Sequence, residues 1–448
     1  MSDASSPRPW WCELSRDHWF VFNVASLAWL FDCLDAQLFN LARGGAMLDL
    51  VGRERAAEFG SYTMSFFLVG WAVGGFIFGA LGDRFGRARI LTFSVLIYSL
   101  CTGLSCLSTG FLDFGLYRFA TGVGIGGVFG LSVALIADSL PDRTRAPALG
   151  LFQSLSTWGN IVAGLLGMGV GALAARGLLP LGLKAWQSLF LIGALPALLC
   201  VLILNGLKEP VKWVNAHAAG AQRGVRFGSY TELLGGGVWA RNAWLGVVMC
   251  CAGVVGLWGL GNFHPQIISS IVDQHLATAN LPPAALSSAR TNWSSFGLLL
   301  QNVGGFFGMM TLSWLAQTQG RRIAYAVAIS LSFLTTVLVF KFLREFSQIF
   351  WMLPLMGFGQ LSVFAVYAIY LPELFPTRLR STGTSFCYNA GRIIAASAPV
   401  TVGQITKRLG GDIESFRTAG LYVSLVLLVG LVAIPFLPEM KGRPLPEE

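Results

Sequence analysis

"DSLPDRTR" (138–145) and "ELFPTRLR" (373–380) carry an acid, a proline and two arginines at identical offsets, 235 residues apart. "LGDRFGR" (81–87) is echoed by "LAQTQGR" (315–321) at a shift of 234. Two independent matches at nearly one shift mean that the chain contains a duplicated unit.

The composition says what kind of unit it is. Of the 448 residues 54% are hydrophobic and only 12% charged, with 54 glycines, which excludes a soluble globular domain. Apolar runs long enough to cross a bilayer recur along the chain, and we place twelve: 19–41, 60–82, 88–108, 112–137, 147–173, 186–207, 241–265, 293–316, 322–343, 348–371, 381–405 and 418–437. The reading is therefore an all-α membrane protein of twelve transmembrane helices in two six-helix halves. Its expected parts are a tail 1–18, a bundle 19–207, a central loop 208–240, a second bundle 241–437 and a tail 438–448. The N-terminal "MSDASSPRPWWCELSRDHW" (1–19) lacks the pattern of a signal peptide, so the first run is read as a retained helix.

An even number of spans puts both termini on one side. With the termini in the cytoplasm, inside segments hold 18 of the 31 Lys and Arg, outer loops hold 11, and Arg118 and Arg392 fall within spans. That bias favours cytoplasmic termini in a cell (inner or plasma) membrane. The net charge of +9 reflects anchoring, and no nucleic-acid partner is expected. Seven of the eight cysteines lie in or beside apolar runs without any metal-ligand spacing, and no Walker-type motif is present, so no metal, cofactor or enzymatic chemistry is expected. The expected partners are a small-molecule substrate, protons and the lipid bilayer, with the chain acting as a monomer. Repeats of this kind place a substrate site where the halves meet and work by alternating access.

Charges inside a membrane cost about 2.5 to 3.5 kcal/mol each on insertion scales, so the exceptions point to function. Asp32 and Asp35 sit at i and i+3 in "WLFDCLDAQLF" (29–39), on one helix face, where burial and mutual repulsion disfavour two simultaneous charges. Together with Arg118 they are the candidates for proton coupling. The bland alternatives are an Asp35 that solvates a vestibule and an Arg118 in a structural ion pair. Ser385, Asn389 and Arg392 fall at i, i+4 and i+7, a polar stripe whose arginine would clamp a carboxylate, or else snorkel to the helix end. Gln153, Asn160, His264, Gln301, Asn302, Gln360, Tyr367 and Tyr370 could orient a ligand or glue helices together. Trp158, Phe386 and Tyr388 could stack on a ring. The glycines at 122, 126 and 130 read as helix packing.

"GALGDRFGRAR" (79–89) resembles the loop between helices two and three of the major facilitator superfamily. "RFATGVGIGG" (118–127), "PELFPTRLRSTG" (372–383) and "LPEMKGRPLPE" (437–447) are similar to further elements of that superfamily, the last to the tail of its sugar and organic-ion members. The resemblance implies a carrier whose loops latch one conformation. The latch would comprise Gly79, Asp83, Arg84, Gly86, Arg87, Asp138, Arg143, Arg145, Glu373, Arg378 and Arg380, and be weaker in the second half, where Gln317 and Thr318 replace the acid and the arginine. Asp32 and Asp35 resemble the acid pair of aromatic-acid/proton symporters and related sialate and nicotinate carriers, although Cys33 and Leu34 stand where those have Gly and Phe. "FCYNAGRI" (386–393) is similar to their eleventh helix. The implied function is proton-coupled symport of a small carboxylate-bearing substrate, with an aromatic ring among the options. The alternatives are a sugar or polyol symporter or facilitator, an exporter disfavoured by the missing Gly-Pro element in "QSLSTWGNIVAGLLG" (153–167), and a non-transporting sensor.

Overall fold

The computed structural model describes residues 9–260, 264–276, 282–395 and 397–446. Every regular element among the described residues is helical. The first half runs through α1 (Arg16–Val51), α2 (Ala56–Phe85), α3 (Arg87–Ser105), α4 (Phe111–Ser139), α5 (Asp142–Ala175), α6 (Ala185–Gly193) and α7 (Leu199–Gly206). Two short helices, α8 (Val211–Arg223) and α9 (Tyr230–Leu234), form the connection. The second half holds α10 (Gly237–Val254), α11 (His264–Leu276), α12 (Pro283–Thr318), α13 (Arg321–Phe342), α14 (Ile349–Tyr370), α15 (Arg380–Ala395), α16 (Ala398–Leu409), α17 (Ile413–Ser424) and α18 (Val426–Ala433).

Among the described residues ten helices are long and apolar enough to cross a membrane, and the two expected spans missing from that set each have a physical reason. The run 186–207 is divided by a 3₁₀ turn over Leu195–Leu198, where Pro196 has no N–H to donate. The run 381–405 is split between α15 and α16, and α15 is too polar to qualify. Arg380, Ser381, Thr382, Ser385, Asn389 and Arg392 are all buried against protein, so this helix need not be apolar. The segment 274–292 is helical at both ends: α11 runs to Leu276 and α12 starts at Pro283, with 277–281 outside the described residues.

The duplication read from the loops extends to the packing of helix on helix. A Cβ added at Gly70 or Gly74 of α2 would strike the carbonyls of Phe119 and Val123 on α4. A Cβ added at Gly304 or Gly308 of α12 would strike those of Pro354 and Phe358 on α14, the same contacts 234 to 235 residues later. Gly122 and Gly126 likewise face Phe67 and Trp71 on α2, and Gly130 faces Ser385 on α15, so the α4 stripe serves close approach.

Gly86 (φ 109°) and Gly320 (φ 105°), again 234 apart, turn the chain into α3 and α13. A Cβ at Gly320 would also press on the Glu439 carboxylate. Gly320→Ala should therefore lower stability by about 1–3 kcal/mol, seen as a reduced Tm of the purified protein in detergent. Gly403→Ala, in open space on α16, should leave Tm unchanged or raise it.

Candidate functional site

At one end of the bundle, a set of fully buried charges ties the halves together. Arg87 of α3 pairs with Asp83 of α2 at 3.2 Å and with Asp138 at the end of α4, and donates to the Thr377 carbonyl of the other half at 2.8 Å. Asp138 also pairs with Arg380, again across the halves. Asp83 accepts from the backbone N–H groups of Ser381 (3.1 Å) and Thr382 (2.8 Å), so an acid of the first half caps the start of α15 in the second. Gly79 lies against Ser385 and Gly75 against Asn389, bringing α2 and α15 into contact well beyond the charges.

The second half repeats the intra-half part. Arg321 makes a two-pronged pair with Glu373 at 2.7 and 2.9 Å, the counterpart of Arg87 with Asp138. Arg145 pairs with Asp142 and bonds the Ala137 carbonyl. Gln317 turns back to the Ser313 carbonyl of its own helix at 3.1 Å, where Asp83 in the first half reaches across. The remaining loop arginines lie at the margin: Arg143 pairs with Glu13 at 2.6 Å, Arg378 with Glu232 at 2.8 Å, and Arg84 is exposed over the Phe85 ring.

Two acids that the sequence reading did not single out complete this end. Glu209 accepts from the first N–H groups of α3 (Arg87, Ala88 and Arg89), and Glu439 from those of α13 (Arg321 and Arg322). Burial works against ionisation of Glu439, but these N–H donors and those of Lys441 and Met440 outweigh it and hold the carboxyl below its usual range. Their positions in "KEP" and "PEM", 230 residues apart, were the available signal.

Above this closed end, at mid-height of the helices, lies a cavity of about 100 Å³ between the halves. Gln153 and Asn160 of α5, Gln301 and Asn302 of α12, and Arg392 of α15 line it. The Arg392 guanidinium is held between two rings, 3.8 Å from the centroid of Trp71 and 4.3 Å from that of Tyr388, which itself stacks on Phe129 at 4.1 Å. One of its nitrogens, Nη1, donates to Asn389 at 3.1 Å, while the buried Nε has no partner. Across the cavity Asn160 donates to Asn302 at 2.9 Å, joining the halves.

The expected coupling acids are not on the cavity wall. Helix α1 turns Trp29, Cys33, Gln37 and Asn40 into the cavity and Asp32 and Asp35 into the first half, both with no exposure. Asp35 accepts from Thr102 at 2.7 Å and faces Arg118 at 3.9 Å, which removes the vestibule alternative. Arg118 in turn bonds Ser105 at 2.7 Å and the Cys101 carbonyl, and sits over Phe190 and Phe39. Neither oxygen of Asp32 has a hydrogen-bond partner among the described residues, and both Arg392 and Asp35 are within electrostatic reach of it.

The other candidates take different places. Ser385 packs between Gly79 and Gly130, and Asn389 stands behind Arg392 rather than in the cavity. Gln360 bridges Gln301 and Thr336, Tyr367 donates to the Met249 carbonyl at 2.5 Å, and Tyr370 bonds the Pro438 carbonyl, all three inside the second half. Phe386 packs against Phe76, and Trp158 is largely exposed. The His264 side chain lies outside the described ones. The cavity residues Gln37 and Asn40 were missed, although Cys33, Gln37 and Asn40 have the same i, i+4, i+7 spacing that marked Arg392.

The model of the family described as sugar (and other) transporter matches residues 50–225 and 346–447. The chain belongs to this family, within the major facilitator superfamily. It is 29% identical over 431 residues to the cis,cis-muconate transport protein of Acinetobacter baylyi, with 95% of each chain covered. To a putative niacin/nicotinamide transporter of Bacillus subtilis it is 24% identical over 399 residues, covering 87% of this chain and 88% of the relative. In fold it is similar to a proton:xylose symporter bound to 6-bromo-6-deoxy-D-glucose, with a TM-score of 0.76 at 16% identity, over 96% of this chain and 97% of that one. The protein is thus a transporter rather than an enzyme, spanning the cell membrane several times.

In this transporter Asp138 is the carboxylate shared by two buried guanidinium groups. Asp138→Asn leaves both without full compensation, and a loss of about 3–5 kcal/mol in stability is expected as a lowered Tm. Arg84→Gln, at the exposed margin, should leave Tm unchanged.

Proposed function

We propose that this transporter couples proton entry to uptake of a small organic carboxylate, and that Arg392 is contested between the substrate and Asp32. A charged Asp32 draws Arg392 toward α1; a proton on Asp32 ends that attraction and frees the guanidinium for the substrate carboxylate. Because a buried carboxylate without partners costs several kcal/mol when charged, proton and substrate would load together. The observation that carries this reading is an unpartnered buried acid behind the cavity wall, within electrostatic reach of the arginine that lines the cavity. Asp35 and Arg118 would form the standing pair that keeps the site neutral. The muconate and niacin transporters among the relatives support an acid as substrate.

In the same reading the chain crosses the membrane twelve times as a monomer. The helices α6 and α7 together make the sixth span, and α15 and α16 the eleventh. The bundles are 19–207 and 241–437, and 208–240 and the tails 1–18 and 438–448 lie with the latch in the cytoplasm. The sealed charges then close the inner face, and the latch residues Gly79, Asp83, Gly86, Arg87, Asp138, Arg145, Glu373 and Arg380 hold the outward-facing state, with Arg143 and Arg378 at its rim. A second reading, transport of a neutral sugar or polyol, draws on the carboxamides around the cavity.

Uptake into proteoliposomes under an inside-alkaline pH gradient tests both, with radiolabelled carboxylates and sugars. A carboxylate should accumulate only with the gradient, Asp32→Asn should lose accumulation while keeping exchange, and Arg392→Lys should weaken uptake about tenfold or more through loss of the two-pronged clamp. Sugar entry that ignores the gradient, with Asp32→Asn behaving as wild type, would favour the second reading and reject the first.

A further inference from the structure

The charges around the cavity define what can be carried, on the reading of Arg392 just given. Among the described residues lining the cavity, Arg392 is the one charged side chain. Most of the remaining polar wall is carboxamide: Gln37 and Asn40 on α1, Gln153 and Asn160 on α5, Gln301 and Asn302 on α12, joined by the uncharged Ser156, Tyr388 and Trp29. Carboxamides hydrogen-bond an anion but supply no countercharge. Behind the wall, Asp35 faces Arg118 and so has its cation already.

We propose that the substrate is a compact monocarboxylate whose other polar groups are neutral, and that dicarboxylates are refused. In the loaded state the substrate carboxylate pairs with Arg392, a protonated Asp32 is neutral, and Asp35 and Arg118 cancel, so every buried charge has its partner. A second carboxylate has no cation left to meet and would lie uncompensated between helices, the arrangement that buried sites tolerate least. Neutral groups, by contrast, are provided for. Gln153 Oε1 and Trp29 Nε1 belong to cavity-lining residues only 3% exposed and have no hydrogen-bond partner among the described residues. They suit a neutral hydroxyl, carboxamide or ring nitrogen of the substrate. The volume points the same way: about 100 Å³ is less than the roughly 150 Å³ apolar cavity that takes up a benzene molecule, so only a compact substrate suits it. One proton moving with one monoanion also carries no net charge across the membrane.

Two matched sets of probes separate charge from shape: benzoate, 4-carbamoylbenzoate and terephthalate; and 2,4-hexadienoate, the monoamide of hexa-2,4-dienedioate and the dienedioate itself. In each set the carboxamide and the second carboxylate have nearly the same size and differ in charge. Binding to the full-length purified protein is read from tryptophan fluorescence, since Trp29 and Trp71 line the cavity. The expected result, in at least one set, is that the monoacid and the monoamide bind on the order of 100-fold more tightly than the diacid. Gln37→Arg, which adds a second cation at a half-buried position on the wall, should raise the diacid-to-monoamide affinity ratio at least tenfold. A diacid that binds wild type within tenfold of its monoamide overturns this inference and leaves the proton-coupled carboxylate reading intact. Binding by none of the six overturns that reading, and this inference with it. Uptake of a monoacid that changes with an imposed membrane potential at constant pH gradient would also count against it.

Discussion

Two arginines from different halves sharing the Asp138 carboxylate, with no water able to reach them, is the constraint around which this transporter is organised. Charges this deeply buried are tolerated only in complete sets, so the set can exist only while the two halves are pressed together at that end. Separation would give each group back to water, at the cost of the pairing. Such an arrangement has two acceptable conditions, closed and hydrated, and little between them. That is the behaviour alternating access requires of a gate.

The same end shows how duplication and asymmetry combine. Within each half an arginine following a positive-φ glycine meets an acid about fifty residues later, and a carboxylate from the segment after the last helices of that half caps the start of α3 or α13. Across the halves the repeat is broken. Asp83 reaches over to cap α15, while Gln317 at the equivalent place bonds its own helix. The cavity therefore sits above a charge cluster that is strong on one diagonal, the one formed by α2 and α15, and α15 is also the helix that brings Arg392 to the cavity. The cluster and Arg392 are some three turns apart on one helix, so the packing that fixes the first also fixes the height of the second.

The loop repeat, the spacing of the glycines and the buried arginines were legible in the sequence because each follows from local chemistry. A glycine every fourth residue, an acid and an arginine at a fixed offset, or a stripe at i, i+4 and i+7 can be read without knowing what lies opposite. Arg392 was found that way, whereas Asn160, Gln301 and Asn302 stood out as amides within apolar runs. Ser385 fits the same stripe and yet packs between two glycines, since a two-turn step along α15 carries it from the cavity into the interface with α2 and α4. Asp32 and Asp35 mark the face of α1 that turns into the first half, while its cavity side is the uncharged Cys33, Gln37 and Asn40.

The sequence alone determined a duplicated, all-helical membrane carrier with charged loops at one end, because composition and periodicity are properties of the chain itself. It could not decide which face of each helix looks into the cavity, that α15 is shielded well enough to be polar, or that Arg392 lies between two rings from opposite halves. Those depend on the rotation and depth of helices brought together from residues hundreds of positions apart. A difference of a quarter turn, invisible in the spacing of residues along one helix, separates a residue that meets the substrate from one that only holds its neighbour in place.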